Sequence, residues 1–440
     1  MKSFDPNQQL LQRSRAAVWH PCTQMKQHET LPLVPIVRGE GAWLFDAAGK
    51  PYLDAVSSWW VNLFGHAHPR IAAAIGEQAR TLEHVLLAGF THPAVVELSE
   101  RLAQVAPPGL GHCFYASDGA SATEIALKMA FHYWRNLGRA EKTAFLSLEH
   151  SYHGETLGAL AVTDVPIFRD VYAPLLRHNL PVASPDPRLT HPRLAPEEAA
   201  RRAALALEQR LAREHANIAA LILEPLVQGA AGMAMYHAGY LKAARQLCER
   251  YEVLLIADEI MTGFGRSGTL FACEQASVTP DFLCLSKGIT GGFLPLSCVM
   301  TTDRVYAAFY DDEPSRGFLH SHSYTGNALA CRAALTVLDI FRDDNVLERN
   351  RRLAAQLSGA LAPLVGHPKV RDFRRLGLIW AFEVSSSQPR FAPWCFREGL
   401  ARGLLLRPIG NTLYLMPPYV LSDGDIEHLA RGVIELVEQA

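Results

Sequence analysis

The sequence predicts an α/β protein in which a large, doubly wound and mainly parallel sheet domain is joined to a smaller α+β domain. A chain of 440 residues exceeds the size at which one hydrophobic core stops growing, so two domains are expected. Five short apolar runs lack polar alternation, which is typical of strands buried on both faces of a parallel sheet. Helical segments separate several of these runs. The runs are 143–148, 219–223, 252–258, 281–285 and 295–301.

The other elements of the N-terminal half follow from local signals. Residues 41–54 predict two short strands, because apolar residues flank a polar turn that contains glycine. Pro69 and Pro93 each lie just inside a predicted helix, where the N–H that proline lacks is not needed. Residues 181–196 concentrate proline, aspartate and histidine, and we interpret them as a surface insertion ahead of a further helix.

The C-terminal part of the chain predicts a separate α+β lobe. Two long helices are expected after residue 330, and apolar runs at 377–384, 404–407 and 413–416 predict strands. The predicted domains are an N-terminal part of the small domain, the large domain and a C-terminal part of the small domain, at residues 1–60, 61–330 and 331–440.

Composition excludes several classes of function. Lys+Arg 42 against Asp+Glu 44 gives a net charge of −2, and no basic stripe with interleaved aromatic residues offers a surface to nucleic acid. The eight cysteines form neither Cys-x-x-Cys pairs nor a compact disulfide framework, which is typical of a reducing compartment. The N-terminal residues lack the apolar core of a signal peptide, and no apolar run approaches the roughly 18 residues of a membrane helix. We therefore expect a cytoplasmic protein that binds neither nucleic acid nor membrane.

Asp258 and Lys287 carry the strongest functional signal. Asp258 ends the apolar run 252–258, and open α/β sheets bind ligands beyond the carboxyl ends of their strands. Lys287 follows the next run, ahead of glycines that permit close backbone approach to a ligand. A pyridoxal 5'-phosphate (PLP) enzyme requires this combination, an amine that holds the cofactor as an imine and a carboxylate that keeps the pyridine nitrogen protonated. Crowding would lower the pKa of the Lys287 amine, which favours a nucleophile and proton carrier at neutral pH.

Both residues also have an ordinary interpretation. Asp258 taken alone is equally well explained as a strand-end cap, and a lysine is most often a solvated surface residue. The functional interpretation is favoured by the run that begins at Asp258, Asp-Glu-Ile-Met-Thr-Gly-Phe-Gly-Arg-Ser-Gly.

Two further segments could bind other parts of such a cofactor. Residues 117–121 open a predicted helix, so unpaired N–H groups and the positive end of the helix dipole converge where a phosphate would bind. An ordinary N-cap is the alternative there. Tyr152, in Tyr-His-Gly after the run 143–148, could lay its ring against the pyridine, and a buried tyrosine with a satisfied hydroxyl is the alternative.

The remaining candidates are a histidine-rich segment and one arginine. Residues 320–327, His-Ser-His-Ser-Tyr-Thr-Gly-Asn, contain a His-x-His pair without an acidic partner, which is weak evidence for zinc. We interpret the segment as a hydroxyl-rich phosphate loop and expect no metal. Arg407 is the only cation in Leu-Leu-Leu-Arg-Pro, which favours a guanidinium that grips a carboxylate. A structural salt bridge is the competing explanation.

Together these residues resemble the class III aminotransferases of fold-type I, and the resemblance covers nearly the whole chain. The family signature is similar to the run from Asp258 to Gly268 followed by Ser286-Lys287-Gly288. More specific motifs resemble the members that aminate 8-amino-7-oxononanoate in biotin biosynthesis. These motifs are Trp19-His20-Pro21, Ser57-Ser58-Trp59-Trp60, residues 320–327, and Arg407-Pro408 through Tyr419.

The resemblance implies roles for individual residues. Lys287 would carry PLP, Asp258 would pair with its ring nitrogen and Tyr152 would cover the ring, which makes these three the expected catalytic residues. The cofactor phosphate is expected to be bound by Gly119, Ala120, His322 and Ser323. The expected substrate-binding residues are Trp59, Tyr152, Arg266, Lys287, Ser321 and Arg407, of which Arg407 holds the oxononanoate carboxylate and Arg266 borders the donor site.

The resemblance also implies a homodimer, because Ser321, His322 and Ser323 would reach the site of the other subunit. One position departs from the family pattern. Tyrosine usually follows Trp-His-Pro, whereas this chain has Cys22, and a thiol matches neither the reach nor the donor strength of a phenol. Handling of the amino donor is therefore where this chain is expected to differ.

The implied activity is the conversion of 8-amino-7-oxononanoate to 7,8-diaminononanoate by a ping-pong cycle through the Lys287 imine. S-adenosyl-L-methionine is the expected donor, and lysine is the alternative donor. The nearer alternative function is a class III aminotransferase of ω-amino acids or diamines, which would share Lys287 and Asp258 and lack the arrangement of Trp59, Trp60 and Arg407. A non-catalytic PLP-binding sensor is the more distant alternative.

Overall fold

The computed structural model describes residues 6–177 and 179–440, so the first five residues of the predicted N-terminal part lie outside the described residues. The chain forms two compact units. The larger unit is Arg70–Glu348, and the smaller unit combines the chain up to Pro69 with Arg349–Ala440.

The strands and helices are numbered here in chain order. The strands are β1 Ile36–Glu40, β2 Trp43–Asp46, β3 Pro51–Asp54, β4 Leu110–Ala116, β5 Ala144–Leu148, β6 Leu180–Val182, β7 Ile218–Leu223, β8 Val227–Gln228, β9 Ala234–Met235, β10 Leu254–Asp258, β11 Phe282–Leu285, β12 Ser297–Thr302, β13 Val370–Leu376, β14 Ile379–Val384, β15 Leu404–Leu405 and β16 Thr412–Leu415. The helices are α1 Pro6–Ala17, α2 Ser57–Trp60, α3 Pro69–Ala79, α4 Pro93–Val105, α5 Gly119–Asn136, α6 Leu157–Ala161, α7 Pro166–Arg169, α8 Pro187–Thr190, α9 Pro196–Glu214, α10 Ala238–Arg250, α11 Asp303–Ala307, α12 Ala328–Asp343, α13 Val346–Ala360, α14 Phe391–Ala401 and α15 Asp423–Gln439.

The larger unit is built on a seven-stranded sheet with the order β4-β12-β11-β10-β7-β5-β6. β11, β10, β7, β5 and β6 pair in parallel, and β12 runs antiparallel to both of its neighbours. All residues of β7, β10 and β11 are buried, which explains why Asp258 at the end of β10 is their only charged residue. The five apolar runs thus correspond to β5, β7, β10, β11 and β12, and the predicted mainly parallel sheet is confirmed.

The two outermost strands of this sheet were not anticipated. β6 covers the start of the segment 181–196, so the interpretation of that segment as a surface insertion is wrong for its first two residues. β6 has only three residues and contains a proline, and it pairs on one side only, so it leaves no sequence pattern. β4 lies at the opposite edge, and its glycine and histidine interrupt the apolar pattern by which a strand is recognised in the sequence.

Helix α5 packs its apolar face on this sheet. Ala122, Ile125 and Ala126 are buried in one cluster with β7 and β10 side chains such as Ile222 and Ile256. The helix begins where the Asp118 carboxylate accepts a hydrogen bond from the backbone N–H of Ser121. The cap and the buried face together fix the start of α5 against the sheet.

The smaller unit contains two sheets. One has the order β1-β2-β3-β15 and the other β13-β14-β16. The predicted strands at 377–384 and 413–416 correspond to β14 and β16, whereas the predicted strand 404–407 is reduced to the two residues of β15. Helices α1, α2, α14, α15 and most of α13 also belong to this unit.

Helix α2 is one turn of left-handed helix. Its four residues Ser57, Ser58, Trp59 and Trp60 have φ of 50°, 45°, 72° and 72°. The left-handed conformation costs a residue with a side chain roughly 1–2 kcal/mol, and none of the four is glycine. Such a turn persists only where surrounding contacts hold it.

Candidate active site

Four adjacent strands of the larger unit are each followed by side chains that can do chemistry. In sheet order, β11, β10, β7 and β5 lead to Lys287, Asp258, Glu224 and the pair Tyr152-His153. These strands are parallel, so their carboxyl ends meet at one edge of the sheet, where α/β proteins bind ligands. We call these five residues the strand-end cluster.

Asp258 is oriented by a buried histidine. His153 Nδ1 lies 2.7 Å from Asp258 Oδ2, and the Ile260 N–H donates to Asp258 Oδ1 at 3.1 Å. A carboxylate can only accept, so the ring proton of His153 lies on Nδ1. Thr123 and Thr163 bond the backbone of His153, which fixes the imidazole in place. Asp258 is therefore a buried carboxylate of defined orientation.

Glu224 is a second buried acid in the cluster. Its Oε1 accepts from the Tyr152 N–H at 3.1 Å, and its Oε2 accepts from the Gly229 N–H at 2.8 Å. Burial raises the pKa of Glu224 to about 7, and the charge of Asp258 acts in the same direction against the opposing effect of His153. Glu224 thus ties the segment that carries Tyr152 to the end of β7, and it can change its protonation state near neutral pH.

Lys287 has an unusual backbone and a perturbed amine. It opens a 3-10 turn, Lys287–Thr290, with a φ of 44°. Burial lowers the pKa of the Lys287 amine, while the carboxylates of Asp258 and Glu224 oppose that shift. The direction agrees with the expectation from sequence, and desolvation is the main cause. The larger neutral fraction favours nucleophilic attack.

The start of α5 lies next to the Asp258 segment. A Cβ added to Gly119 would lie 3.0 Å from Ile260 Cγ2, so glycine allows the close approach. The N–H groups of Gly119 and Ala120 begin the helix, where no intrahelical acceptor is available. These N–H groups and the helix dipole suit an anion such as a phosphate.

Tyr152 is partly exposed at the end of β5. Its hydroxyl donates to Glu155 Oε1 at 2.9 Å, and its ring centroid lies 5.5 Å from that of Phe168. The backbone bond to Glu224 and this ring contact hold the aromatic face beside the cluster.

Three predicted residues are not brought to the strand-end cluster of the same chain. Ser321 and Ser323 are exposed, and across residues 6–177 and 179–440 no hydrogen bond joins them or His322 to the cluster. Nearby, Lys128 Nζ lies 2.8 Å from His320 Nδ1. The part of the chain that the structure describes holds no group of three or more metal-ligating side chains.

Arg266 is 1% exposed and lies in the glycine-rich turns after β10. Its guanidinium is therefore almost fully buried.

The smaller unit carries the other two predicted residues. Arg407 Cζ lies 4.2 Å from the centroid of the Trp59 ring, and both side chains are exposed. A guanidinium over an aromatic face retains free N–H donors at its edge, so this pair can bind a carboxylate. Trp60 beside it is buried and donates to the Tyr414 hydroxyl at 3.1 Å.

This geometry agrees with a comparison to known families. Residues 24–437 match the family model described as class III aminotransferase. The chain belongs to this family. The family and fold predicted from the sequence are thereby confirmed, and the chain is a member of a PLP-dependent transaminase family.

Class III relatives match over their full length. The adenosylmethionine-8-amino-7-oxononanoate aminotransferase of Helicobacter pylori is 46% identical over 430 residues, which is 96% of each chain. The protein of the same name from Synechococcus elongatus is 41% identical and covers 97% of this chain and 99% of its own.

Solved class III structures have the same fold. The adenosylmethionine-8-amino-7-oxononanoate aminotransferase of Methanocaldococcus jannaschii superposes with a TM-score of 0.92 at 34% identity, covering 98% of this chain and 99% of its own. An (S)-enantioselective omega-transaminase of Thermomicrobium roseum has a TM-score of 0.92 at 32% identity, covering 100% and 99%.

The residues of this class III chain fit PLP. Within the described ranges, Asp258 accepts two hydrogen bonds, which leaves lone pairs for a protonated ring nitrogen. Lys287 supplies an amine of lowered pKa, and the N–H groups of Gly119 and Ala120 suit the phosphate. An amine, an acid and a phosphate-binding helix start are the three contacts that the cofactor needs.

Sequence reasoning missed Glu224 and gave His153 no role. Glu224 follows a buried apolar run directly, which is the same signal that identified Asp258, so it could have been found. The hydrogen bond between His153 and Asp258 could not have been found from the sequence, because it depends on the pairing of β5 and β10 with β7. In the described residues, no helix combines the length and apolarity needed to span a membrane.

Proposed function

We propose that this chain is a PLP-dependent aminotransferase that converts 8-amino-7-oxononanoate to 7,8-diaminononanoate in biotin biosynthesis, with S-adenosyl-L-methionine as the amino donor. The observation that carries this proposal is the full-length similarity to relatives named for that substrate, joined to the exposed Arg407–Trp59 pair, which suits a carboxylate. The proposed location is the cytoplasm, where the free cysteines stay reduced.

Lys287 is the proposed catalytic base. PLP, when bound, supplies an aldehyde that exchanges amino groups and a ring that withdraws electrons. Lys287 Nζ would hold the cofactor, and its neutral amine would take the proton from the donor Cα. The neutral amine needed for this step is favoured by the burial of Lys287. Donor and acceptor use the same residues in turn, which gives a ping-pong cycle.

Asp258, Tyr152 and the start of α5 are proposed to orient the cofactor. The Asp258 carboxylate, held by His153, keeps a proton on the ring nitrogen. Tyr152 would cover the cofactor ring, and the N–H groups of Gly119 and Ala120 would bind its phosphate.

Arg407 and Trp59 are proposed to bind the acceptor. The Arg407 guanidinium takes the oxononanoate carboxylate in two-pronged geometry, and Trp59 lines the path of the aliphatic chain. Arg266 is proposed to border the donor site. Because Arg266 is buried, this role requires that part of its guanidinium become accessible to the substrate.

A homodimer is proposed in which Ser321, His322 and Ser323 of each chain act in the site of the other chain. The exposure of the two serines supports a role outside their own chain. The larger unit also has an apolar groove of about 530 Å³ along α5, lined in part by Leu127, Phe131, Leu157, Leu175 and Phe318. Leu157 and Leu175 are exposed there, and such apolar surface favours association.

A substrate panel tests the reaction. The purified holoenzyme is expected to aminate 8-amino-7-oxononanoate with S-adenosyl-L-methionine, and to use pyruvate or succinic semialdehyde poorly. The solved omega-transaminases of the same fold make the second candidate, an ω-amino acid or diamine aminotransferase. Preference for pyruvate or succinic semialdehyde would establish that candidate instead. Replacing the donor by lysine separates the two possible donors.

A complementation experiment tests the shared site. Lys287→Ala and a Ser321→Ala/His322→Ala/Ser323→Ala variant should each be inactive alone. After mixing under conditions that exchange subunits, one intact site forms per hybrid dimer, so about a quarter of the wild-type activity returns. If both sets of residues act within one chain, every hybrid site has a defect and no activity returns.

A further inference from the structure

Asp54 is a buried carboxylate at the end of β3, next to the left-handed turn. Its Oδ1 accepts from the backbone N–H groups of Val56 at 3.3 Å and Ser58 at 3.0 Å. Its Oδ2 accepts from the Ser58 hydroxyl at 2.7 Å and faces His66 Nε2 at 3.1 Å. These contacts use all of the roughly four acceptor positions of a carboxylate. Asp54 thus joins Ser58 of the turn to the strand.

Asn62 determines how His66 bonds to Asp54. The Gly65 N–H can only donate, so Asn62 Oδ1 is the acceptor of this 2.8 Å bond. The Asn62 amide nitrogen then faces His66 Nδ1 at 3.1 Å and donates to it. The ring proton therefore lies on Nε2, where it is donated to Asp54.

The first and last residues of the turn are anchored separately. The Ser57 hydroxyl donates to the Met416 carbonyl at 2.7 Å, and the Trp60 indole N–H donates to the Tyr414 hydroxyl at 3.1 Å. Trp59 lies between these anchors, and its ring is the exposed one that faces Arg407. The direction of Trp59 is therefore set by the backbone of a strained turn rather than by burial of its ring.

We propose that Asp54 is a positioning residue for acceptor recognition, which acts by holding the left-handed turn so that Trp59 lies beneath the Arg407 guanidinium. The inference rests on the proposed function, in which Trp59 and Arg407 bind the acceptor. Asp54 does not touch the substrate itself. Its carboxylate accepts a hydrogen bond from each of the four donors around it. An asparagine amide in its place would direct its own N–H groups at some of these donors, and those hydrogen bonds would be lost.

Asp54→Asn in the holoenzyme is the principal test. The KM for 8-amino-7-oxononanoate is expected to rise about tenfold or more, because the Trp59 ring no longer holds the Arg407 guanidinium in position. The kcat is expected to stay within about threefold of the wild-type value, because Lys287 is not affected. Trp59 also gives a signal without catalysis. The near-ultraviolet circular dichroism lost in Trp59→Phe should be lost in Asp54→Asn as well. An unchanged KM together with unchanged dichroism would overturn the proposal.

Asp46→Asn is the matched control. Asp46 also ends a strand of the smaller unit, is buried, and accepts from Asn7, Ala48, Lys50 and Tyr52. The same substitution there should lower the melting temperature and leave the KM for the acceptor unchanged. An equal rise in KM in both variants would mean that any loss of a buried carboxylate disturbs the unit, and would overturn the specific role of Asp54.

Ser58→Gly is a second variant that tests the same proposal even if Asp54→Asn does not fold. Glycine adopts the positive φ of position 58 without strain, so stability should hold or increase, while the hydroxyl bond to Asp54 is lost. The KM should still rise several-fold, by about the value of one hydrogen bond to a charged group. A stable Ser58→Gly enzyme with the wild-type KM contradicts the proposal.

A double-mutant cycle separates this inference from the proposed function. If Asp54 acts through Trp59, Asp54→Asn should add nothing to the KM of Trp59→Phe, whereas independent effects would multiply. Multiplying effects overturn the positioning role. A wild-type enzyme that does not aminate 8-amino-7-oxononanoate overturns the proposed function instead, and the dichroism of Asp54→Asn then decides whether Asp54 holds Trp59.

Discussion

Two buried aspartates, one in each unit, end a strand and bond to a histidine. Asp258 ends β10 and faces His153 at 2.7 Å, and Asp54 ends β3 and faces His66 at 3.1 Å. They differ in the number of hydrogen bonds that each carboxylate accepts from the protein. Among the described residues, Asp258 accepts two hydrogen bonds from the protein, whereas Asp54 accepts four.

The difference separates a binding acid from a positioning acid. A carboxylate with free lone pairs next to a ligand site has capacity for the ligand, and a saturated one stabilises the protein around it. The same residue type at the same place on a strand therefore supports two roles. The count of donors decides between them.

Lys287→Ala should have the largest effect, because it removes the amine beside Asp258. Turnover is expected to fall by more than about 10³-fold, since both the covalent tether and the proton carrier are lost. The visible absorbance of the protein loaded with PLP should change at the same time. An unchanged absorbance band with wild-type kcat would exclude Lys287 from the site.

Lys142→Met is the matched control for that experiment. Lys142 is also buried in the larger unit, but its amine is satisfied by the carbonyls of His215, Ile218 and Glu252 at 2.7–3.1 Å. The substitution leaves these acceptors unpaired and should cost about 3 kcal/mol of stability. The absorbance of bound PLP should stay as in the wild type. A buried lysine whose hydrogen bonds are all made within the protein is thus expected to contribute to stability and not to cofactor binding.

Asp258→Asn should have the next largest effect. An amide keeps the shape of the side chain and loses the charge that holds a proton on the ring nitrogen. We expect kcat to fall by about 10²-fold to 10³-fold, in contrast to the KM effect of Asp54→Asn. Steady-state kinetics of both variants check this. The comparison fails if Asp258→Asn raises only KM.

Glu224→Gln tests the electrostatics of the cluster through pH. The folded protein holds the Glu224 proton up to a pKa of about 7, while the unfolded chain loses it near 4.5. The native state therefore binds more protons between these values, and stability falls as pH rises through them, by roughly 3 kcal/mol for this one group. Melting temperatures of the wild type should decline more steeply from pH 5 to 7 than those of Glu224→Gln. Parallel curves would contradict the raised pKa.

Cys22→Tyr should have the smallest effect, because it lies outside both aspartate networks. Cys22 is exposed, and it stands where the resemblance to the family predicts tyrosine. A restored phenol could add one hydrogen bond, which lowers the KM for S-adenosyl-L-methionine by about threefold to tenfold. The KM for the acceptor should not change. Equal kinetics with both side chains would show that position 22 does not contact the donor.

The buried strands were the most predictable part of the fold. β7, β10 and β11 have every residue buried, so apart from Asp258 their sequence is continuously apolar and can be recognised without a structure. β4 and β6 lie at the sheet edges, where one side is unpaired and polar residues are tolerated. Their sequence accordingly carried no strand signal.

The candidate site was predictable where it depends on a strand end or on a family motif. Asp258 and Lys287 each follow an apolar run, and the start of α5 has an N-cap sequence. Ser321, His322 and Ser323 were predicted from resemblance to act across subunits, and that role stays a prediction. The left-handed turn could not be predicted, because the Ser-Ser-Trp-Trp sequence contains no residue that favours positive φ.

The sequence by itself determined the family and the buried strands of the large sheet, and it predicted the acid and the amine of the candidate site, because periodicity and strand-end motifs are local. Only the tertiary structure decided which acids are saturated. The donors to Asp258 come from the segments that follow β5 and β10, and the contacts that hold the turn around Trp59 come from residues far apart in the chain. A hydrogen bond depends on distance in space, and sequence fixes that distance only after the sheets have formed.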